Sequence, residues 1–339
     1  MSTRVRSFSK INLGLAVGPL RADGFHGLAT IYQTLALHDF VTVEARAAAS
    51  TRIVLTADHA GVPRSETGDA EKNTAYVMVA KALERIGLCA EIGIHIEKKL
   101  PVQGGMGAGS ANAVAALLGL ERELGQALPE LERLELAAAV GSDVPLFLIG
   151  GTVLGVGRGE EVSPLPDLPA MPCVVAVPAV GVSTGQAFRE LDARMAANAL
   201  TFQQAGDRLR ELSRVLAAVW ITDGAESGLS GITRRTGDLA ENPLLALVRT
   251  GIENDFEEVA FSQYPSLRST KRDLVGSDLI PGSGALYAAL SGSGSALFGL
   301  YGSQADARAA QQRVQQNGTV AILTETLPRS EYWATMFAE

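Results

Sequence analysis

Ile11, Leu13, Leu15 and Val17 alternate with Lys10, Asn12, Gly14 and Ala16. A period of two predicts a strand with one buried face, and it places Lys10 and Asn12 together on the opposite face. Phe40 to Glu44 and Ile53 to Thr56 read as further strands. Ile92, Ile94 and Ile96 alternate with Gly93, His95 and Glu97, a strand that delivers the chain into a glycine-rich loop. The period then changes. Val114, Leu117, Leu118 and Leu124 share one face of a helix predicted over 112–124. Leu131 to Val140 is a second apolar helix, broken at Gly141, and GSDVPLFLIGG turns the chain into another short apolar segment.

Pro164, Pro166, Pro169 and Pro172 mark a linker, which divides the chain into an N-terminal domain over 1–165 and a C-terminal domain over 166–339. Beyond the linker, Val174 to Val177 is a strand. Residues 206–220 predict a helix with Leu209, Leu212, Val215, Leu216 and Val219 facing inward, and 220–245 reads as a long polar loop. Leu286 to Leu290 and Ala296 to Tyr301 are strands around the turn SGSGS. A helix from Gln304 to Gln316 and a strand from Val320 to Leu323 complete a split α+β unit.

Length and composition narrow the class. The 339 residues make one large domain or two medium ones, and 47% hydrophobic with 19% charged residues fits a soluble α/β or α+β enzyme, not a disordered chain. A net charge of -8 argues against nucleic acid as a partner, yet allows one small basic pocket for a nucleotide. MSTRVRSFSKINLGL lacks the apolar core of a secretory signal, and no apolar run is long enough to span a bilayer. Two cysteines, Cys89 and Cys173, cannot build a disulfide framework or a Cys-rich metal site. The expectation is a cytoplasmic protein, monomer or homodimer, with no membrane partner and no resident metal.

Candidate chemistry begins with KKLPVQGGMGAGSANAVAALLGL, residues 98–120, where Gly104, Gly105, Gly107 and Gly109 run into Ser110 and Asn112. Glycines let the backbone close around a ligand, and the free N–H groups of a following helix attract phosphate. The spacing fits neither a Walker loop nor a dinucleotide fingerprint, and a surface loop capped by Ser110 is the plain alternative. Lys10 on a strand face reads by default as solvated. Asp143, just before Pro145, reads as a helix N-cap; equally, a kinase needs an anionic group near the acceptor hydroxyl, and a nearby lysine keeps it ionised. Phe25 and His26 in RADGFHGL suit a planar base, or else anchor a loop. Gly292 and Gly294 in LSGSGSALF permit a tight hairpin, or a second turn over phosphates.

The order of these pieces resembles the GHMP small-molecule kinase superfamily: Lys10 and Asn12, RADGFH, PVQGGMGAGSAN, GSDVP and a late SGSGSA. KINLGL followed by RADGFH is similar to the branch that acts on a cytidine diphosphate-linked sugar alcohol, and not to homoserine or mevalonate kinases. GGTVLGVGRGEEVSPLP, ENDFE and YPSL resemble that branch too. The resemblance implies that ATP, accompanied by Mg²⁺, phosphorylates the 2-hydroxyl of a methylerythritol. It implies Asp143 as the group that orients and deprotonates the hydroxyl and Lys10 as the group that steadies the developing charge. Asn12 matches a substrate contact. Phe25 and His26 match the pair that receives cytosine, by stacking and hydrogen bonds, and Phe188, with Thr184 one turn earlier, the second aromatic wall. Pro101, Val102, Gln103, Gly104, Gly105, Met106, Gly107, Ala108, Gly109, Ser110 and Ala111 match the ATP loop.

The implied fold is α+β in two domains, one like ribosomal protein S5 and one ferredoxin-like, with the active site in the cleft between them and one left-handed β-α-β crossover. Departures from the family pattern sharpen the expectation. Ala108 must avoid a positive φ, which would cost about 1 kcal/mol or more. Ala111 lacks a hydroxyl, so phosphate or Mg²⁺ contacts fall on Ser110. Phe25 stands where a tyrosine is common, which keeps stacking and loses the phenol. Other GHMP kinases, of homoserine or mevalonate type, and a catalytically silent nucleotide sensor are the alternatives.

Overall fold

A computed structural model describes residues 2–21, 24–102, 104–197, 253–276 and 284–338. The helix expected over 206–220, the loop over 220–245 and Gln103 lie outside the described residues. Strand β1 (Thr3–Leu20) pairs antiparallel along most of its length with β2 (His26–Ala47). The other edge of β2 is shared: its C-terminal half pairs with β4 (Ala90–Glu97) and its N-terminal half with β5 (Thr152–Val156). Outside these lie β3 (Arg52–Ala57), parallel to β4, and β6 (Glu161–Pro164), antiparallel to β5.

Helices α1 (Thr74–Ile86), α2 (Ala108–Leu124) and α3 (Glu130–Val140) belong to the core on one side of this sheet. The helix predicted over 112–124 with one apolar face is α2, which begins four residues earlier and is buried from Ala111 through Glu121. It lies between the sheet and its neighbouring helices, so both its faces are apolar. Gly119 is where it touches the sheet; a Cβ there would stand 2.6 Å from the Val43 side chain. The approach is set by glycine having no Cβ.

A second, four-stranded sheet runs β10-β7-β9-β8, built from β7 (Pro172–Val177), β8 (Tyr287–Leu290), β9 (Leu297–Leu300) and β10 (Val320–Glu325), all antiparallel. In chain order that is 4-1-3-2, the ferredoxin-like arrangement expected. Helices α4 (Thr184–Ala197), α5 (Phe256–Gln263), α6 (Pro265–Val275) and α7 (Gln304–Gln316) contribute to the core on its outer face. Its inner face meets the first sheet: Ile11, Leu13, Ile31 and Leu35 share a core with Cys173, Val175, Phe298 and Leu300. The proline-rich segment is part of that core, since Leu165, Leu168 and Met171 are buried in it.

The chain ends back on the first sheet. Helix α8 (Arg329–Ala334) buries Tyr332 in its core, and β11 (Phe337–Ala338) pairs with β1. No helix among the described residues is long and apolar enough to cross a membrane.

Candidate active site

The alternation of residues 10–13 puts Ile11 and Leu13 in the shared core and turns Lys10 and Asn12 the other way. Pairing with β2 shifts register between Phe8 and Lys10 and again between Asn12 and Gly14, so the segment carrying both polar side chains is bracketed by irregularities. Such shifts bend a strand and re-aim its side chains. Lys10 is not solvated: it is 2% exposed. Its Nζ donates to Asn12 Oδ1 at 2.7 Å and lies 3.2 Å from Asp143 Oδ2. Asn12 Nδ2 donates to Thr30 Oγ1 (2.8 Å), whose hydroxyl donates to the Gly14 carbonyl (2.7 Å). That chain of bonds has one consistent direction, which fixes the Asn12 amide with its oxygen toward the lysine.

Asp143 is not a cap. The 3-10 turn Pro145–Leu148 has Val144 at its cap position with no side-chain bond. The carboxylate instead faces Lys10 and accepts from the Tyr32 hydroxyl through Oδ1 at 3.0 Å, while 35% of the side chain stays exposed. Burial first, and the Asp143 carboxylate next, push the Tyr32 phenol well above its ordinary pKa. It therefore remains a donor across the neutral range.

The glycine loop meets this group from the side of α2. Gly104, Gly105 and Gly107 have positive φ, and Gly107 caps α2, leaving Ala108 as the first helical residue and Ser110 as the third. Four successive carbonyls are turned into the protein. Gly104 accepts from Ala296 N–H, Gly105 from the Ser291 hydroxyl, Met106 from Lys10 N–H and Gly107 from Ala111 N–H. Among the described residues no acceptor meets the N–H groups of Gly105, Met106 or Gly107. The opening N–H groups of α2 likewise lack intrahelical acceptors. Ala108, Met106 and Ala111 are buried, Pro101 is half-buried, Val102 is exposed and the Ser110 side chain is half-buried. Gly109 is exposed, and its carbonyl accepts from the Thr74 hydroxyl. The loop suits a polyphosphate: its amides are free, its carbonyls committed, and dipole and N–H groups favour an anion.

The late SGSGS turn closes against that loop. A Cβ on Gly105 would stand 2.3 Å from the Ser291 carbonyl oxygen. Asn254 holds the turn from behind, its Nδ2 donating to the carbonyls of Leu290 (2.8 Å) and Gly292 (2.7 Å).

A second group gathers around His26. Its Nδ1–H donates to the Gly18 carbonyl at 2.9 Å, since a carbonyl only accepts. Its Nε2 faces Asp192 Oδ1 at 3.3 Å, and its ring stacks on Phe188, centroids 5.1 Å apart and 19° from parallel. The two rings are in contact and form a single wall. Phe25 is 51% exposed, with the Arg158 guanidinium 4.9 Å from its centroid. Thr184, at the start of α4, shares a hydrogen bond of 2.8 Å with Ser293 in the late turn.

The fold thus joins Lys10, Asn12 and Asp143 directly, sets the glycine loop against them, and groups His26 with Phe188. Sequence patterning missed Tyr32, Thr30 and Asn254. Tyr32 pairs with Asn12 across β1 and β2, but neither its register nor its distant partner Asp143 shows in the local pattern.

Comparison with known proteins adds the chemical context. Residues 73–151 match the model of the GHMP kinases N terminal domain, and 239–320 that of the GHMP kinases C terminal. A 4-diphosphocytidyl-2-C-methyl-D-erythritol kinase from Solibacter usitatus is 36% identical, over 88% of this chain and 80% of its own. A crystal structure of 4-(cytidine 5'-diphospho)-2C-methyl-D-erythritol kinase superposes with a TM-score of 0.65 at 26% identity, covering 95% of this chain and 98% of that one. Homoserine kinase from Cytophaga hutchinsonii superposes with a TM-score of 0.67 over 98% of this chain and 96% of its own, at 21% identity, a likeness of fold alone.

Proposed function

The chain belongs to the 4-diphosphocytidyl-2-C-methyl-D-erythritol kinases of the GHMP family, and on that premise we propose how its residues perform the reaction. The enzyme transfers a phosphoryl group from ATP to the 2-hydroxyl of its cytidyl-linked sugar alcohol, a step of the methylerythritol phosphate route to isoprenoids. Phosphoryl transfer asks mainly for positioning and for stabilisation of charge.

Asp143 accepts the hydrogen bond of the acceptor hydroxyl, orients its oxygen and takes its proton as the new bond to phosphorus forms. Lys10, 3.2 Å from that carboxylate, offsets negative charge gathering at the reacting oxygens. Asn12 holds the lysine in place and offers its amide edge to the acceptor. The free amides of Gly105, Met106 and Gly107 and the first turn of α2 hold the phosphates. Mg²⁺ entering with ATP would supply charge neutralisation at the phosphates. Ser110, the loop's one hydroxyl and the third residue of α2, would be the protein group placed to reach the ion.

The cytidine end lies at His26, Phe25, Phe188 and Thr184. The exposed Phe25 ring supplies a stacking face, the His26–Phe188 pair a wall, and Nε2 of His26 is offered to the base in exchange for Asp192. A cytoplasmic enzyme acting on small molecules fits this site.

The observation that carries the reading is the contact of a buried lysine with a half-exposed carboxylate beside a loop of free amides. An ADP-release assay across three acceptors tests it. Turnover is expected with the cytidyl-linked acceptor and not with homoserine or mevalonate. Asp143→Asn should abolish turnover and leave ATP binding within about twofold. Near-normal turnover in that variant would remove Asp143 from the chemistry.

A further inference from the structure

Asp143 sits in the turn between α3 and the short Pro145–Leu148 helix, where no cap bond restrains its side chain. Its orientation depends on the two groups that touch it. Lys10 ends in an ammonium on a long flexible stem. Tyr32 is different: it lies in the N-terminal half of β2, 2% exposed, its ring lodged against the hairpin that joins β5 to β6. Gly155 and Gly159 form the notch. A Cβ on Gly155 would stand 2.5 Å from Tyr32 Cε2, and one on Gly159 would stand 2.5 Å from the phenol oxygen. Gly155 and Gly159 of the GVGRG stretch thus confine the phenol closely.

We infer that Tyr32 is a positioning residue for Asp143, a rigid phenol that holds Oδ1 of the carboxylate so that its other lone pairs face the acceptor hydroxyl. A carboxylate oxygen has room for more than one hydrogen bond, so the bond from Tyr32 leaves Asp143 able to take a proton. The phenol does not compete as the base, because burial and the adjacent carboxylate keep it protonated. Without the hydroxyl, Asp143 rotates about its last torsion with Lys10 as its one remaining tether among the described residues. The aligned fraction then falls, and with it the rate of the chemical step. Ground-state binding of either substrate does not use this bond.

The inference rests on Asp143 acting on the acceptor hydroxyl, so Asp143→Asn is measured alongside Tyr32→Phe. Tyr32→Phe keeps the ring in its notch and removes only the donor. Expected is a fall of about tenfold in kcat per ATP-binding site, the size of one hydrogen bond to a charged group, with both KM values within about twofold. Counting ATP-binding sites by calorimetry corrects for any misfolded fraction. An unchanged kcat per site, whether or not Tm drops, would overturn the inference. So would a rise in KM for the cytidyl-linked acceptor at constant kcat, which would make Tyr32 a substrate contact. If Asp143→Asn is inactive and Tyr32→Phe is normal, the positioning role alone fails; if Asp143→Asn is active, the proposed chemistry fails first.

Discussion

Lys10 lies where water scarcely reaches, and the oxygens of Asn12 and Asp143 replace the hydration its side-chain nitrogen loses. Each partner is itself held, Asn12 by Thr30 and Asp143 by Tyr32. His26 is clamped in the same manner, by the Gly18 carbonyl, by Asp192 and by the Phe188 ring. It begins β2, whereas the glycine loop precedes α2, so the two should respond separately to mutation. His26→Ala is expected to raise KM for the cytidyl-linked acceptor about tenfold by removing a hydrogen-bonding edge and the Phe188 stack, leaving KM for ATP within about twofold. Steady-state kinetics with each substrate varied in turn decides this; equal effects on the two constants would place the cytosine pocket elsewhere.

Two glycine-rich turns from opposite sheets meet over the site, the Gly104 carbonyl accepting from the Ala296 N–H and the Gly105 carbonyl from the Ser291 hydroxyl. Gly105 has φ +77 and almost touches the Ser291 carbonyl, so no side chain fits there. Gly105→Ala should therefore force the two turns apart and strain the loop, raising KM for ATP about tenfold with little change for the other substrate. An unaltered ATP KM would show that the contact is not needed to shape the loop. The sequence made the glycines conspicuous, but it did not show which element each one faces. It also misplaced the start of α2, because Ala108, Gly109 and Ser110 carry no apolar periodicity. Gly107 in the left-handed region, tucked against Lys10 and Phe147, sets that boundary.

At the scale of the molecule, three cores are joined by a chain that crosses between sheets more than once. After β10, residues 329–338 return to the first sheet, where Tyr332 fills its core and donates to the Phe147 carbonyl at 2.6 Å. A Cβ on Gly150 would stand 2.3 Å from that ring. Tyr332→Ala leaves a large cavity and an unpaired carbonyl, and is expected to cost about 3–5 kcal/mol of stability. Denaturant unfolding measures it; a loss below about 1 kcal/mol would mean that the closing segment is dispensable to the first core. Nothing in RSEYWATMFA announces this role, since a helix and a strand this short have no period to read.

What the sequence by itself determined is the class of the protein. Period-two runs and glycine turns specify strands and their order, and the string of motifs from KINLGL to SGSGS identifies the family. These are local properties, encoded by neighbours within a few residues of each other. The tertiary structure decided which of two local readings each polar residue takes. Lys10 is buried rather than solvated, and Asp143 faces a lysine and a phenol rather than capping a turn. Those outcomes depend on partners more than a hundred positions away, brought near by the pairing of β1 with β2 and by the hairpin that grips Tyr32.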